Sequence, residues 1–230
     1  MTTAEQLRDL LELRTAPVAV TFRLDPPAGV SHLPAAGPSG CSYWSRAAEG
    51  ETFYTEAPDH YNCPIGAYTH GVELAPALAK ELESVVGKMI ELHYLRPEEV
   101  PAIPRRPSEF HVAVYAPLAG VPEEADVVLV RGNAKQVMLL AEAAQVASVA
   151  AESGLMGRPT CAVVPEVLRT RRCAASLGCI GNRVYTGLAD DELYFALPGE
   201  HVKAVTEKLA VIVQANRELE KYHRARAGQA

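Results

Sequence analysis

Apolar positions along this chain recur with two different periods, and the alternation between those periods predicts its elements. Leu7, Leu10, Leu11 and Leu13 share one face of a predicted helix over residues 3–14. The β-branched run Pro17-Val-Ala-Val-Thr-Phe22 that follows has the length and composition of a buried strand. Residues 25–40 are rich in Pro, Gly and Ala and poor in large apolar side chains, which predicts a loop delivering Cys41 to a short helix that runs to Ala48. Glu51 to Thr55 then reads as a strand. Leu74, Leu78, Leu82, Val85 and Met89 stand at helical spacing and predict a long helix over residues 73–93. Pro97, Pro101, Pro104 and Pro107 interrupt regular structure as far as Phe110.

The second half restarts with two strand-like runs, Phe110 to Tyr115 and Asp126 to Val130. Arg131-Gly-Asn133 predicts a turn and an N-cap for a helix over 134–151, and Ser153 to Pro159, with glycines at 154 and 157, predicts a link leading to Cys161. Residues 162–173 read as helical around Pro165 and residues 191–197 as a strand. Pro198 opens a final amphipathic helix with Val202, Val205, Leu209, Ile212 and Leu219 inward. The alternation predicts an α/β or α+β fold, a central sheet with flanking helices.

Two phrases resemble each other, Cys63-Pro-Ile-Gly-Ala-Tyr-Thr-His-Gly71 and Cys179-Ile-Gly-Asn-Arg-Val-Tyr-Thr-Gly187. They suggest a worn duplication: one domain over residues 1–230, built of two pseudo-repeated lobes with approximate halves 1–107 and 108–230. A cleft between such lobes would let both groups of cysteines face one site.

Composition narrows the setting. With 230 residues, 48% of them hydrophobic, the chain can bury a core without disulfide staples. Its first residues form no apolar leader, and no stretch approaches the ~18 apolar residues of a membrane span, so a cytoplasmic protein with no membrane partner is expected. In that compartment five cysteines, an odd number, read as free, metal-bound or catalytic. A net charge of −6 argues against nucleic acid as a partner.

The five cysteines fall into two groups, Cys41 and Cys63, then Cys161, Cys173 and Cys179. Soft thiolates suit an iron–sulfur cluster or zinc, and the preferred ligand set is Cys41, Cys63, Cys161 and Cys179, two from each half, with Cys173 the spare. Gly178 and Gly181 flank Cys179 and would let backbone N–H groups approach a cofactor. No C-x-x-C pair occurs, so spacing alone gives the metal little support. Arg183 belongs to a basic concentration with Arg169, Arg171 and Arg172, which points to a small anionic ligand or, with Arg172 or Arg183 lowering its pKa, to Cys179 as a metal-free thiol nucleophile. A third reading makes the cysteines core residues of a small-acid binding module. His60 and His70 bracket Cys63, and Tyr43 and Trp44 beside Cys41 could wall a planar ligand. Walker A, G-x-G-x-x-G, H-E-x-x-H and G-x-S-x-G sequences are all missing, which removes the common nucleotide, zincin and hydrolase readings.

The phrases Gly40-Cys-Ser-Tyr-Trp44, His60-Tyr-Asn-Cys-Pro-Ile-Gly66, Ser176-Leu-Gly-Cys-Ile-Gly-Asn-Arg183 and Leu193-Tyr-Phe-Ala-Leu-Pro-Gly199 resemble the DUF169 family of uncharacterised prokaryotic proteins, over residues 10 to 220. The resemblance transfers little chemistry, but Cys41, Cys63 and Cys179 fall inside its quoted phrases and Cys161 is grouped with them, whereas Cys173 does not clearly belong. The expectation carried forward is an iron–sulfur protein, [4Fe–4S] held by those four cysteines, in electron transfer or redox sensing with a redox partner protein or a small anionic ligand. Zinc, or no cofactor, is the alternative. The oligomeric state is left open, a homodimer included.

Overall fold

The computed structural model describes residues 2–106, 110–120, 125–156 and 159–228. The first half contains α1 (Thr3–Leu11), β1 (Val18–Arg23), β2 (Ser31–His32), α2 (Ser42–Ala48), β3 (Phe53–Glu56), α3 (Pro64–Thr69), α4 (Pro76–Glu91) and β4 (Val112–Pro117). The second contains β5 (Val127–Asn133), α5 (Ala134–Val146), β6 (Ala151–Met156), α6 (Val163–Thr170), β7 (Cys173–Ser176), α7 (Ile180–Thr186), β8 (Glu192–Pro198) and α8 (Val202–Arg226). The mixed α/β class is as expected.

All eight strands join one sheet in the order β2-β3-β4-β1-β5-β8-β7-β6. Pairs are antiparallel except at the two edges, where β2 runs parallel to β3 and β6 parallel to β7. β1 joins the halves, pairing with β4 along its length and with β5 at Val18, Ala19 and Val20. Strand order is therefore symmetric about the β1–β5 junction. A single sheet runs through both halves, and the structure does not show two pseudo-repeated lobes with a cleft between them. The expected boundary at 107/108 lies outside the described residues.

Side-chain alternation along the strands produces two cores. Val127, Leu129, Tyr194 and Ala196 pack on one face with Tyr43, Trp44, Val163 and Val167, that is, beneath α2 and α6. Val128, Val130, Phe195 and Leu197 pack on the other with Leu7, Leu11, Leu140, Leu209 and Val213 of α1, α5 and α8. Strands apolar on both faces are what a sheet covered on both sides requires. Helix starts are encoded locally. Thr2 accepts the N–H of Glu5 while the Glu5 carboxylate accepts that of Thr2, and Asn133 and Gln136 make the same reciprocal cap on α5.

Several elements differ from expectation. Arg131-Gly-Asn133 is no turn; it continues β5 and pairs with Tyr194, Leu193 and Glu192 of β8. The helix placed over 134–151 ends at Val146, and the expected link from Ser153 begins inside β6, with Gly157 outside the described residues, as is Pro107. β7 and the short helices α3 and α7 lie where no element was expected, since four to seven residues are too few to display a period. α4 forms as anticipated, yet none of its residues is fully buried. Among the described residues no helix is long and apolar enough to cross a membrane.

Candidate thiol site

Three cysteines stand at helix starts on one face of the sheet: Cys41 caps α2, Cys63 caps α3 and Cys179 caps α7. Cys161 sits in the single turn Thr160–Ala162 that leads into α6. α2 packs against α7, and α3 against the Cys161 turn, so chain segments from both halves meet here. The four sulfurs feel one another. Burial pushes the Cys41 thiol up, with further increments from Cys63 and Cys179. Burial also pushes Cys161 well up, with increments from Cys63, Cys41 and Cys179. Cys173 lies apart in the opposite core, fully buried, its pKa pushed up to about 12 by burial.

Local hydrogen bonds hold two of the sulfurs and the backbone of a third cysteine. The backbone N–H of Gly66 donates to Cys63 Sγ over 3.4 Å, and Ser39 Oγ lies 3.1 Å from Cys41 Sγ. The N–H of Cys179 donates to Thr160 Oγ1 over 2.6 Å, which ties Cys179 to the turn holding Cys161. Cys41, Cys63 and Cys179 are part-exposed, whereas Cys161 is buried. Beside Cys179, Leu177, Ile180, Val184 and Tyr185 present an exposed apolar face.

Behind the thiols lies a buried polar wall. His60 Nε2 is 2.9 Å from Thr55 Oγ1, whose single proton goes to the carbonyl of Ala113 at 3.2 Å. His60 must therefore donate from Nε2, which leaves a lone pair on Nδ1. That atom has no hydrogen-bond partner and faces Gly40, the residue before Cys41. His70 takes the other tautomer: Nδ1–H donates to the carbonyl of Gly66 over 2.9 Å and Nε2 faces the Tyr115 hydroxyl. Burial holds both imidazoles neutral, His60 well below the usual histidine range and His70 at about 4.

The remaining buried side-chain polar atoms without a partner, among the described residues, are Trp44 Nε1, Ser45 Oγ, Asn62 Oδ1 and both Oδ1 and Nδ2 of Asn182. All of these residues, with His60, stand within four positions of Cys41, Cys63 or Cys179 in the chain. Asn182 leans on the Cys41 sulfur closely enough to favour its thiolate, without a hydrogen bond of good geometry. Native interiors leave few polar atoms unpaired, so their concentration around one group of thiols marks a site.

Other anticipated groups have structural work. Arg183 donates to the carbonyls of Ala189 at 2.7 Å and Leu177 at 2.6 Å, reaches those of Leu188 and Glu192, and lies 3.9 Å from Asp190. It clamps the loops on either side of α7. Arg172 pairs with Glu152, Arg169 with Glu166 and Arg171 with Glu200, so the basic concentration is divided among separate acids. Gly178 has φ +80°, and a Cβ there would collide with the Leu188 side chain; Gly181 lies inside α7 with ordinary space around it. Tyr43 and Trp44 are core, Tyr43 donating to the carbonyl of Asp59 and Trp44 packing edge-on against Tyr194 at 5.2 Å.

The iron–sulfur function is corrected. Although the four cysteines share one region, no group of three or more His, Cys, Asp or Glu side chains among the described residues is arranged to hold a metal ion. Each sulfur has its own local setting, Cys41 beside Ser39, Cys63 on the Gly66 N–H and Cys161 buried in the turn against α3 and α6. The polar atoms without partners were not foreseen; the only signal was their closeness in sequence to the cysteine phrases.

The family model DUF169, described as "Uncharacterised ArCR", matches residues 6–208. An uncharacterized protein of Methanocaldococcus jannaschii is 29% identical over 162 residues, covering 66% of this chain and 67% of its own. No solved structure matches. With nearly the whole sheet and all four clustered cysteines inside the matched span, the chain belongs to the DUF169 family.

Proposed function

We propose that this protein carries out metal-free thiol chemistry, with Cys63 or Cys179 as a nucleophile toward a small acyl or carbonyl carbon. One observation carries the reading: the buried side-chain polar atoms without partners, among the described residues, all stand within four positions of Cys41, Cys63 or Cys179. They supply what acyl transfer to sulfur needs. His60 Nδ1 is a neutral, unpartnered lone pair that can accept a hydrogen bond from a thiol, and Asn182 Nδ2, without a hydrogen bond of good geometry, can turn to a developing oxyanion. Cys41 and Cys161, held protonated by burial, keep charge off the neighbouring sulfurs. In the step, the S–H proton passes to the leaving group, the S–C bond forms and the bond from carbon to the leaving group breaks, giving an acyl-thioester and the protonated leaving group.

The test is acyl capture. Oxygen-free protein treated with phenyl thioacetate should take one acetyl group per chain by intact mass, on Cys63 or Cys179, and the C63A/C179A double variant should take none while C173A behaves as the parent. No acylation of the parent, or acylation spread over all five cysteines, would overturn the proposal.

A further inference from the structure

The α2–α7 seam extends beyond the thiols. Trp44, Ser45 and Ala48 lie three, four and seven positions after Cys41, so they continue its face of α2; Thr186 follows Asn182 by four on α7. Between them, over β1, β5 and β8, is a cavity of about 60 Å³ lined by Trp44, Ser45, Ala48, Arg131, Thr186 and Tyr194. A water needs roughly 10–15 Å³ by this measure, so the space suits about four heavy atoms.

Its polar lining is rich in donors. Trp44 is 1% exposed, and its Nε1, which can only donate, has no partner; Ser45 Oγ is buried and equally unpartnered. Arg131 is held by Glu192, through Nε at 2.7 Å and through Nη2, and gives its other Nη2 proton to the carbonyl of Gly187. Its Nη1 makes only a long contact of 3.4 Å to the carbonyl of Thr186, leaving a cationic N–H in reserve. The remaining lining is Thr15, the exposed carboxylate Glu49 and the apolar Ala16, Val18 and Leu129. Donors on Trp44, Ser45 and Arg131 together with the methyl groups of Ala16, Val18 and Leu129 match a carboxylate with a short alkyl tail.

We infer that this cavity is a binding site for a short monocarboxylate of about acetate size, its oxygens on Trp44 Nε1, Ser45 Oγ and Arg131 and its methyl group against Ala16 and Val18. The site is distinct from the thiols and does not depend on their chemistry. It shares α2 and α7 with them, so an occupant would brace the two helices that carry Cys41 and Cys179.

Trp44 is the only tryptophan in the chain, so its emission reports on the cavity directly. Titration of the reduced protein with sodium acetate at constant ionic strength should give a saturable change that sodium chloride and acetamide do not reproduce. S45A should bind about tenfold more weakly, the factor expected for one lost hydrogen bond to a charged group, with an unchanged melting temperature in the absence of acetate. Thermal stabilisation by acetate should likewise vanish in W44F, which removes the donor and keeps a smaller aromatic ring in its place. A linear response, an equal response to chloride or acetamide, or unaltered affinity in S45A would overturn the inference.

Discussion

His60 and His70 stack at 5.2 Å between ring centroids, their planes 28° from parallel, and both rings are fully buried on opposite tautomers. Each remains neutral in the fold, whereas in the unfolded chain each titrates near 6.5. Because the folded pKa is the lower one, their contribution is complete above pH 6.5 and is lost as pH falls through that value toward about 4 for His70 and lower for His60. Between pH 7.5 and 5.5, above the carboxylate range, urea unfolding should show a loss of about 2 to 3 kcal/mol for the pair. Stability that is flat or rises across that interval contradicts the buried neutral pair.

Arg183 should behave as a clamp. R183A removes donors from the carbonyls of Leu177 and Ala189 and should lower stability by about 1–3 kcal/mol in chemical denaturation. R183K keeps the charge but cannot span the two loops, so it should lose most of the same amount. Full stability in R183K would mean that charge, and not the planar fork, is what matters at this position.

Thr160 joins the two thiol segments of the second half. T160V leaves the Cys179 N–H without an acceptor and should cost about 1–3 kcal/mol. T160S retains the hydroxyl and should restore stability. Equal loss in both variants would assign the effect to packing of the methyl group.

G178A combines a left-handed backbone with a collision against Leu188, and should destabilise by about 1–3 kcal/mol, whereas G181A, inside a helix and uncrowded, should be neutral or slightly stabilising. Thermal melts of the two variants make the comparison. Similar melting temperatures would contradict the strain assigned to Gly178.

Long elements declared themselves in the sequence because burial on both faces of the sheet demands apolar runs such as Val127 to Val130, and because α8 and α4 are long enough to show a helical period. Short ones did not. α3 and α7 have six and seven residues, and β7 is the four-residue run Cys-Ala-Ala-Ser, which has the composition of a helix. Its extended form is imposed by pairing with β8 and β6, a tertiary effect that local propensity cannot register. The same limit governs the site. Grouping the cysteines by phrase isolated those that share a region, but sequence spacing says nothing about how sulfurs are oriented, and an iron–sulfur function was read from the softness of thiolates, their distribution over the two halves and the glycines beside Cys179. Arg183 misled for a related reason: a guanidinium beside a thiol in sequence looks available, while its carbonyl partners come from backbone that no motif describes.

The central claim concerns which thiols can react. The most direct measurement is the rate of alkylation at each of the five cysteines in oxygen-free protein, followed by peptide mass spectrometry with an excess of iodoacetamide at pH 7.5. Part-exposed Cys63 and Cys179 should label first, Cys41 more slowly, and buried Cys161 and Cys173 only as fast as the protein opens. Labelling that begins at Cys161 or Cys173, or proceeds at one rate at all five, would contradict the account.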